Sequence, residues 1–209
     1  MTRPYHLRTY KVQGEMVYNC EIWEAARATT AAPTYFKALS ITWPNGSKNR
    51  FVDAAFRSNN PTEEVIEEAQ TIFGASTPLR ILVSIGCGVK SIVRYEAPSA
   101  LDKFLPKNVI KTLKDIALDC EKTSQNLERC FKHHSNVYFR FNIPEIGDIG
   151  LSEVDDSTLD RITASTKVYF DPGHPGHTML KPVVDLLCNG SAGAMPIHGI
   201  TLGKIRTLQ

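Results

Sequence analysis

The stretch Leu79-Arg80-Ile81-Leu82-Val83-Ser84-Ile85 is almost continuously apolar and is ended by Gly86 and Gly88. A strand buried in a parallel sheet has this character, because helices cover both its faces and neither face is left polar. Parallel neighbours need long crossover connections, most often helical, so helices are expected around this strand.

Residues 5–11 and 39–43 alternate as strands do. Between them, Asn19 is a candidate cap for a helix that starts near Glu21 and runs through Ile22, Trp23, Ala25, Ala26 and Ala28 until Pro33 stops it. Glu24 and Arg27 are spaced to pair on its surface. Pro44-Asn45-Gly46-Ser47 has turn composition, and Arg50-Phe51-Val52 leads as a short strand into Asp53. Asn60-Pro61 is a strong helix start, with Glu63 and Glu64 near the positive end of the helix dipole. That helix is expected to end at Gly74. A long helix is expected over 108–131, with Val109, Leu113, Ile116 and Cys120 as its buried stripe. Residues 137–141 read as another strand. Ser157 and Asp160 mark a further helix start, with Leu159, Ile162 and Tyr169 facing inward, and a last helix runs from about His177 to Cys188. This order of elements predicts the α/β class. Residues 189–209 have several glycines and little periodicity, so they are expected to be a weakly ordered tail.

At 209 residues the chain is long enough for one α/β domain or a large piece of one. Its formal net charge of +2 gives no electrostatic case for nucleic acid or an anionic membrane as partner. There is no run of about 18 apolar residues, so no transmembrane helix is expected. The first residues do not resemble a signal peptide, which points to a cytoplasmic location. The five cysteines, Cys20, Cys87, Cys120, Cys130 and Cys188, are widely spaced and form no C-x-x-C pair. They read as free thiols in a reducing compartment, with neither a zinc site nor a disulfide framework.

Three stretches, in order, carry a family resemblance. The first is Ile22-Trp23-Glu24-Ala25-Ala26-Arg27-Ala28-Thr29-Thr30-Ala31-Ala32-Pro33-Thr34-Tyr35-Phe36. The second is Phe51-Val52-Asp53-Ala54-Ala55 followed by Asn59-Asn60-Pro61. The third is Leu82-Val83-Ser84-Ile85-Gly86-Cys87-Gly88. Together they resemble the C-terminal half of a patatin-like phospholipase domain, of fungal type. The second matches the family's Asp-Gly-Gly/Ala motif, and the third its Ser-x-Gly-Thr-Gly turn. The resemblance implies a partial three-layer α/β/α sandwich with a mostly parallel central sheet flanked by helices, occupying residues 1–188. It also implies a lipid or other acyl ester as substrate, no cofactor and no metal. Asp53 would be the general base of a serine–aspartate dyad, taking the serine proton with no histidine between them. From pattern alone, Asp53 is equally a turn cap.

The family's serine elbow, Gly-x-Ser-x-Gly, and its Gly-rich oxyanion loop precede the aspartate, and neither pattern occurs in the residues before Asp53. Three near misses follow it. Gly74-Ala75-Ser76-Thr77-Pro78 ends in proline, Asn189-Gly190-Ser191-Ala192-Gly193 lacks the first glycine, and Gly199-Ile200-Thr201-Leu202-Gly203 has threonine for serine. Ala54 stands where the family has glycine. If that position needs a positive φ, alanine costs about 1 kcal/mol there. The expectation is therefore a lipid acyl hydrolase domain that is inactive alone. The alternative is a non-catalytic binding module or pseudoenzyme. Half a sheet would leave an exposed edge, through which it could associate with itself or with the missing N-terminal half. Asp171, His174 and His177 lie close enough for a metal to be considered, though a bent, solvated loop fits their prolines and glycines better. His133-His134 is expected to close the long helix, and Asp148, Asp155 and Asp156 to lie in a solvated connection.

Overall fold

The computed structural model describes residues 4–12, 20–33, 35–54, 58–89, 120–144, 146–147, 149–150, 153–188 and 200–206. Asn19, Val109, Leu113, Ile116, Asp148, Ser191 and the tail up to residue 199 lie outside these. The chain divides into two compact units, one formed by Met1–Ile72 and Phe104–Thr123, the other by Phe73–Lys103 and Ser124–Gln209.

In the first unit, helix α1 (Ile22–Thr29) has Glu21 as its N-cap. The Glu24 carboxylate accepts the Glu21 N–H at 2.9 Å, so Glu24 secures the helix start, and Arg27 is used elsewhere. Strands β1 (Leu39–Thr42) and β2 (Lys48–Phe51) pair antiparallel, with Leu39 opposite Phe51 and Thr42 opposite Lys48. The Asn45-Gly46 turn joins them, and Trp43 N–H closes it on the Ser47 carbonyl at 2.8 Å. Ile41 and Trp43 are buried in this unit's core, and the Tyr5, Trp43 and Phe51 rings pack together.

Helix α2 (Thr62–Phe73) starts as its sequence requires. The side-chain oxygen of buried Asn60 accepts from the Thr62 hydroxyl at 2.6 Å and the Thr62 N–H at 3.4 Å, and its amide donates to the Cys120 carbonyl at 3.3 Å. Residues 5–11, expected as a strand, have no ladder partner among the described residues. Side chains hold them instead. Arg8 forms a forked ion pair with Glu68, and Tyr10 donates to the same carboxylate at 3.0 Å.

Those bonds hold the Glu68 carboxyl well below its usual 4.5, at about 2, with Arg8 the largest cause. A depressed carboxylate stabilises the fold above its unfolded pKa and loses that contribution as pH falls towards the folded value. The first unit is therefore expected to lose stability between pH 4.5 and about 2. Urea titrations across that range should show the slope flatten in Glu68→Gln.

In the second unit, β3 (Leu82–Ile85) pairs parallel with β4 (Tyr138–Phe141) in the register Leu82 to Tyr138 and Ile85 to Phe141. The parallel pairing is as expected, but the burial is not. Leu82 and Ser84 are buried, whereas Val83 is 37% and Ile85 79% exposed. The strand alternates because one of its faces has no cover among the described residues. Helix α3, described over 120–130, contributes buried Leu127 and Cys130 to this unit, and Phe131 follows it. The Phe131 ring stacks on Tyr138 of β4. His133 and His134 lie in the turns after α3, where His134 N–H donates to the Phe131 carbonyl.

Helix α4 (Asp156–Phe170) is capped by Asp155, which accepts the Thr158 N–H at 2.9 Å and a bond from the Ser157 hydroxyl. Asp155 is exposed, as expected, but it is also the helix cap, and these bonds hold its carboxyl down at about 2. Tyr169 is buried as expected, whereas Leu159 is exposed. Helix α5 (Pro175–Cys188) packs back on α4, with Gly176 against the Tyr169 ring.

The described end of the chain differs from a weakly ordered tail. Ile200, Leu202 and Ile205 are buried, and a short helix α6 spans Leu202–Arg206. Their backbone docks on residues 75–79. Leu79 N–H donates to Ile200 O at 3.0 Å, Leu202 N–H to Thr77 O at 2.9 Å, and Gly203 N–H to Ala75 O at 2.8 Å. Among the described residues no helix is long and apolar enough to cross a membrane.

Candidate active site

Asp53 follows β2 directly and is partly exposed. Its N–H donates to the Ala31 carbonyl at 3.1 Å, which ties the end of the β1–β2 ladder to the turn after α1. The approach is close because Ala28 and Ala31 are small and fully covered. The Ala31-Ala32-Pro33 sequence thus makes the seat for the aspartate's backbone. Arg27 braces the other side of that turn. One guanidinium nitrogen donates to the Lys37 carbonyl at 2.8 Å, and the group lies 5.3 Å from the centre of the Phe36 ring. Arg27 is therefore a structural clamp next to the aspartate's seat, and it binds a carbonyl instead of Glu24.

Ala54 carries no backbone strain. The non-glycine residue with positive φ among the described residues is Asn136, and the Ala54 carbonyl accepts the Ser58 N–H at 2.8 Å. The cost that a left-handed alanine would bring does not arise.

The glycine turn lies in the second unit. Gly86 N–H extends the parallel ladder to Phe141 O, and the Ser84 hydroxyl accepts from Arg140 at 2.8 Å. Gly88 has φ +107°, and its N–H donates to the Asn142 side-chain oxygen at 2.9 Å. A Cβ at Gly88 would fall 2.7 Å from the Gly147 nitrogen and 2.5 Å from Ile146. At Gly88 the 146–147 segment fills the space a side chain would take, whereas at Gly86 the Asn142 side-chain oxygen does. Asn142 was not singled out by the sequence, since a lone asparagine after a strand has no distinctive spacing.

Two of the serine near misses have structural explanations. Ser76 lies in the turn after α2, and Thr201 forms a bridge with Pro78. Gly203 is a glycine because a Cβ there would meet Ala75 at 2.9 Å. The described parts of these two glycine-bearing segments dock on one another. His177 bonds through its ring nitrogen to the Phe170 carbonyl at 3.1 Å, and His174 N–H donates to Asp171 O at 3.1 Å. Among the described residues no cluster of His, Cys, Asp or Glu is arranged to hold a metal. None of the five cysteines is in a disulfide bond.

Residues 2–66, which include Asp53 and its seat, match the family described as patatin-like phospholipase. The chain is 32% identical over 169 residues to the 85/88 kDa calcium-independent phospholipase A2 of Rattus norvegicus, an alignment covering 71% of this chain and 20% of that protein. It is 30% identical over 152 residues to the calcium-independent phospholipase A2-gamma of Mus musculus, covering 72% of this chain and 18% of the relative. It is 26% identical over 160 residues to patatin-like phospholipase 1 of Plasmodium falciparum, covering 71% and 24% respectively. The chain thus spans about a fifth of the length of the curated relatives it matches. With Asp53 and its seat inside the matched residues 2–66, and a relative 32% identical over 71% of the chain, the chain belongs to the patatin-like phospholipase family.

Proposed function

We propose that residues 1–188 are the C-terminal part of a lipid acyl hydrolase domain, in which Asp53 is the general base and another segment supplies the serine and oxyanion loop. The observation that carries this is the seating of Asp53. Its backbone is bonded to Ala31 at 3.1 Å beside a braced turn, and the residue is partly exposed. A base must be held within hydrogen-bond reach of the proton it takes, so a fixed backbone at a partly exposed position suits the role. No Gly-x-Ser-x-Gly occurs in the sequence, so the chain by itself has no nucleophile for the dyad. The substrate is a lipid or other acyl ester, with no cofactor or metal, and five cysteines outside any disulfide accord with a cytoplasmic location. Purified chain assayed on a short-chain acyl ester is expected to show no turnover above buffer. Turnover that disappears in Asp53→Ala would refute inactivity.

A second function, as a non-catalytic module that binds a partner chain, is favoured by β3. In a parallel pair of described strands, an Ile85 that is 79% exposed and a Val83 that is 37% exposed form apolar surface without a cover among the described residues. Light scattering on a size-exclusion column is expected to show self-association, or a complex with a co-expressed N-terminal half. A stable monomer in both experiments would argue against it.

A further inference from the structure

Residues 5–10 have the period of a strand but bond through side chains on alternate positions. Tyr5 points to the hairpin, its ring 6.1 Å from Trp43 and 5.3 Å, edge to face, from Phe51. His6, Arg8 and Tyr10 point to α2. His6 lies 3.3 Å from both Glu64 and Glu68, Arg8 forks onto Glu68, and Tyr10 donates to Glu68 at 3.0 Å. Arg8 also lies 2.8 Å from the His6 ring nitrogen, so the side chains converging on Glu68 are themselves linked. In an extended segment odd and even positions face opposite ways, so one short stretch can hold two different elements.

The elements it joins are those on either side of the aspartate. Tyr5 holds Phe51, the last residue of β2, and Glu68 is on α2, the helix after the Asp53 loop. A two-stranded hairpin is marginal by itself, so its placement depends on what it is tied to. We propose that residues 5–10 are a strap that sets the position of Asp53, with Glu68 as its buckle and Tyr5 as its anchor on the hairpin. Glu68 and Tyr5 are positioning residues that act through β2, and the proposal stands whether or not Asp53 is a base.

Native-state hydrogen exchange on the whole chain tests it without reading hydrolysis. Charge-assisted hydrogen bonds are lost in Glu68→Gln, so amides of residues 48–54 should exchange about tenfold faster. The α2 amides should change much less. Tyr5→Leu, at the other end of the strap, should give a similar local increase. The double variant should exchange no faster than the more affected single one, because a strap released at one end has nothing further to lose. Additive increases, an equal rise throughout α2, or unchanged exchange at 48–54 would each overturn the proposal.

Discussion

Asp53→Ala lowers acyl-ester hydrolysis by about 10³-fold when the chain is assayed together with a separately expressed patatin-like N-terminal half carrying Gly-x-Ser-x-Gly. A serine hydroxyl is a weak nucleophile at neutral pH until a base takes its proton, and alanine leaves no group to accept it. Asp53→Asn keeps the size and a hydrogen-bond acceptor but removes the basicity, so it should lose nearly as much activity. The N–H bond to Ala31 is a backbone bond that neither substitution removes, and the melting temperature should stay near that of the parent. Equal rates in Asp53→Asn and the parent would remove Asp53 from the chemistry. A matching fall in melting temperature would instead make its role structural.

Gly88→Ala destabilises the second unit by about 3 kcal/mol. The conformational part follows from φ +107°, where an L side chain is strained by about 1 kcal/mol or more. The steric part adds to it, because the new Cβ would sit 2.7 Å from the backbone nitrogen of Gly147 and 3.0 Å from the Ile146 carbonyl carbon. Backbone cannot rotate aside as a side chain can, so β3 or the 146–147 segment must shift, at about 1–3 kcal/mol. Urea denaturation with the parent as reference measures the loss. Gly46→Ala is the control, since Gly46 also has positive φ but has nothing near its missing Cβ. It should lose only the conformational part, and an equal loss in the two variants would show that crowding at Gly88 contributes nothing.

Where local chemistry decides an element, the sequence was readable. Asn60 and Pro61 announced α2, the 39–51 hairpin followed from its alternation and its Asn-Gly turn, and the β3 and β4 strands stood out by apolar content. Where distant partners decide, it was not. The alternation at 5–10 is that of a strand, and only the location of Glu68 on α2 explains why side chains and not a ladder hold it. The run at 79–85 promised cover on both faces, but cover comes from other segments, and Ile85 has none among the described residues. Ile200, Leu202 and Ile205 are buried without a helical or strand period to announce it, in a segment whose backbone is held by bonds from residues 200, 202 and 203 to residues 75–79. For the site, the Asp53 motif was legible as a motif. Its seat on Ala31 was not, since small residues before a proline mark a close approach without naming what approaches.

The docking of residues 200–206 on 75–79 also sets a schedule for the newborn chain. Ala75, Thr77 and Leu79 leave the ribosome long before the residues that bond them, and contacts so far apart in sequence form only after a large loop has closed. A nascent chain stalled before residue 200 therefore carries β3 and β4 beside an unpaired backbone edge, the kind of surface that chaperones hold and proteases cut. Emergence of residues 200–206, more than assembly of the sheet, is the event that completes the second unit.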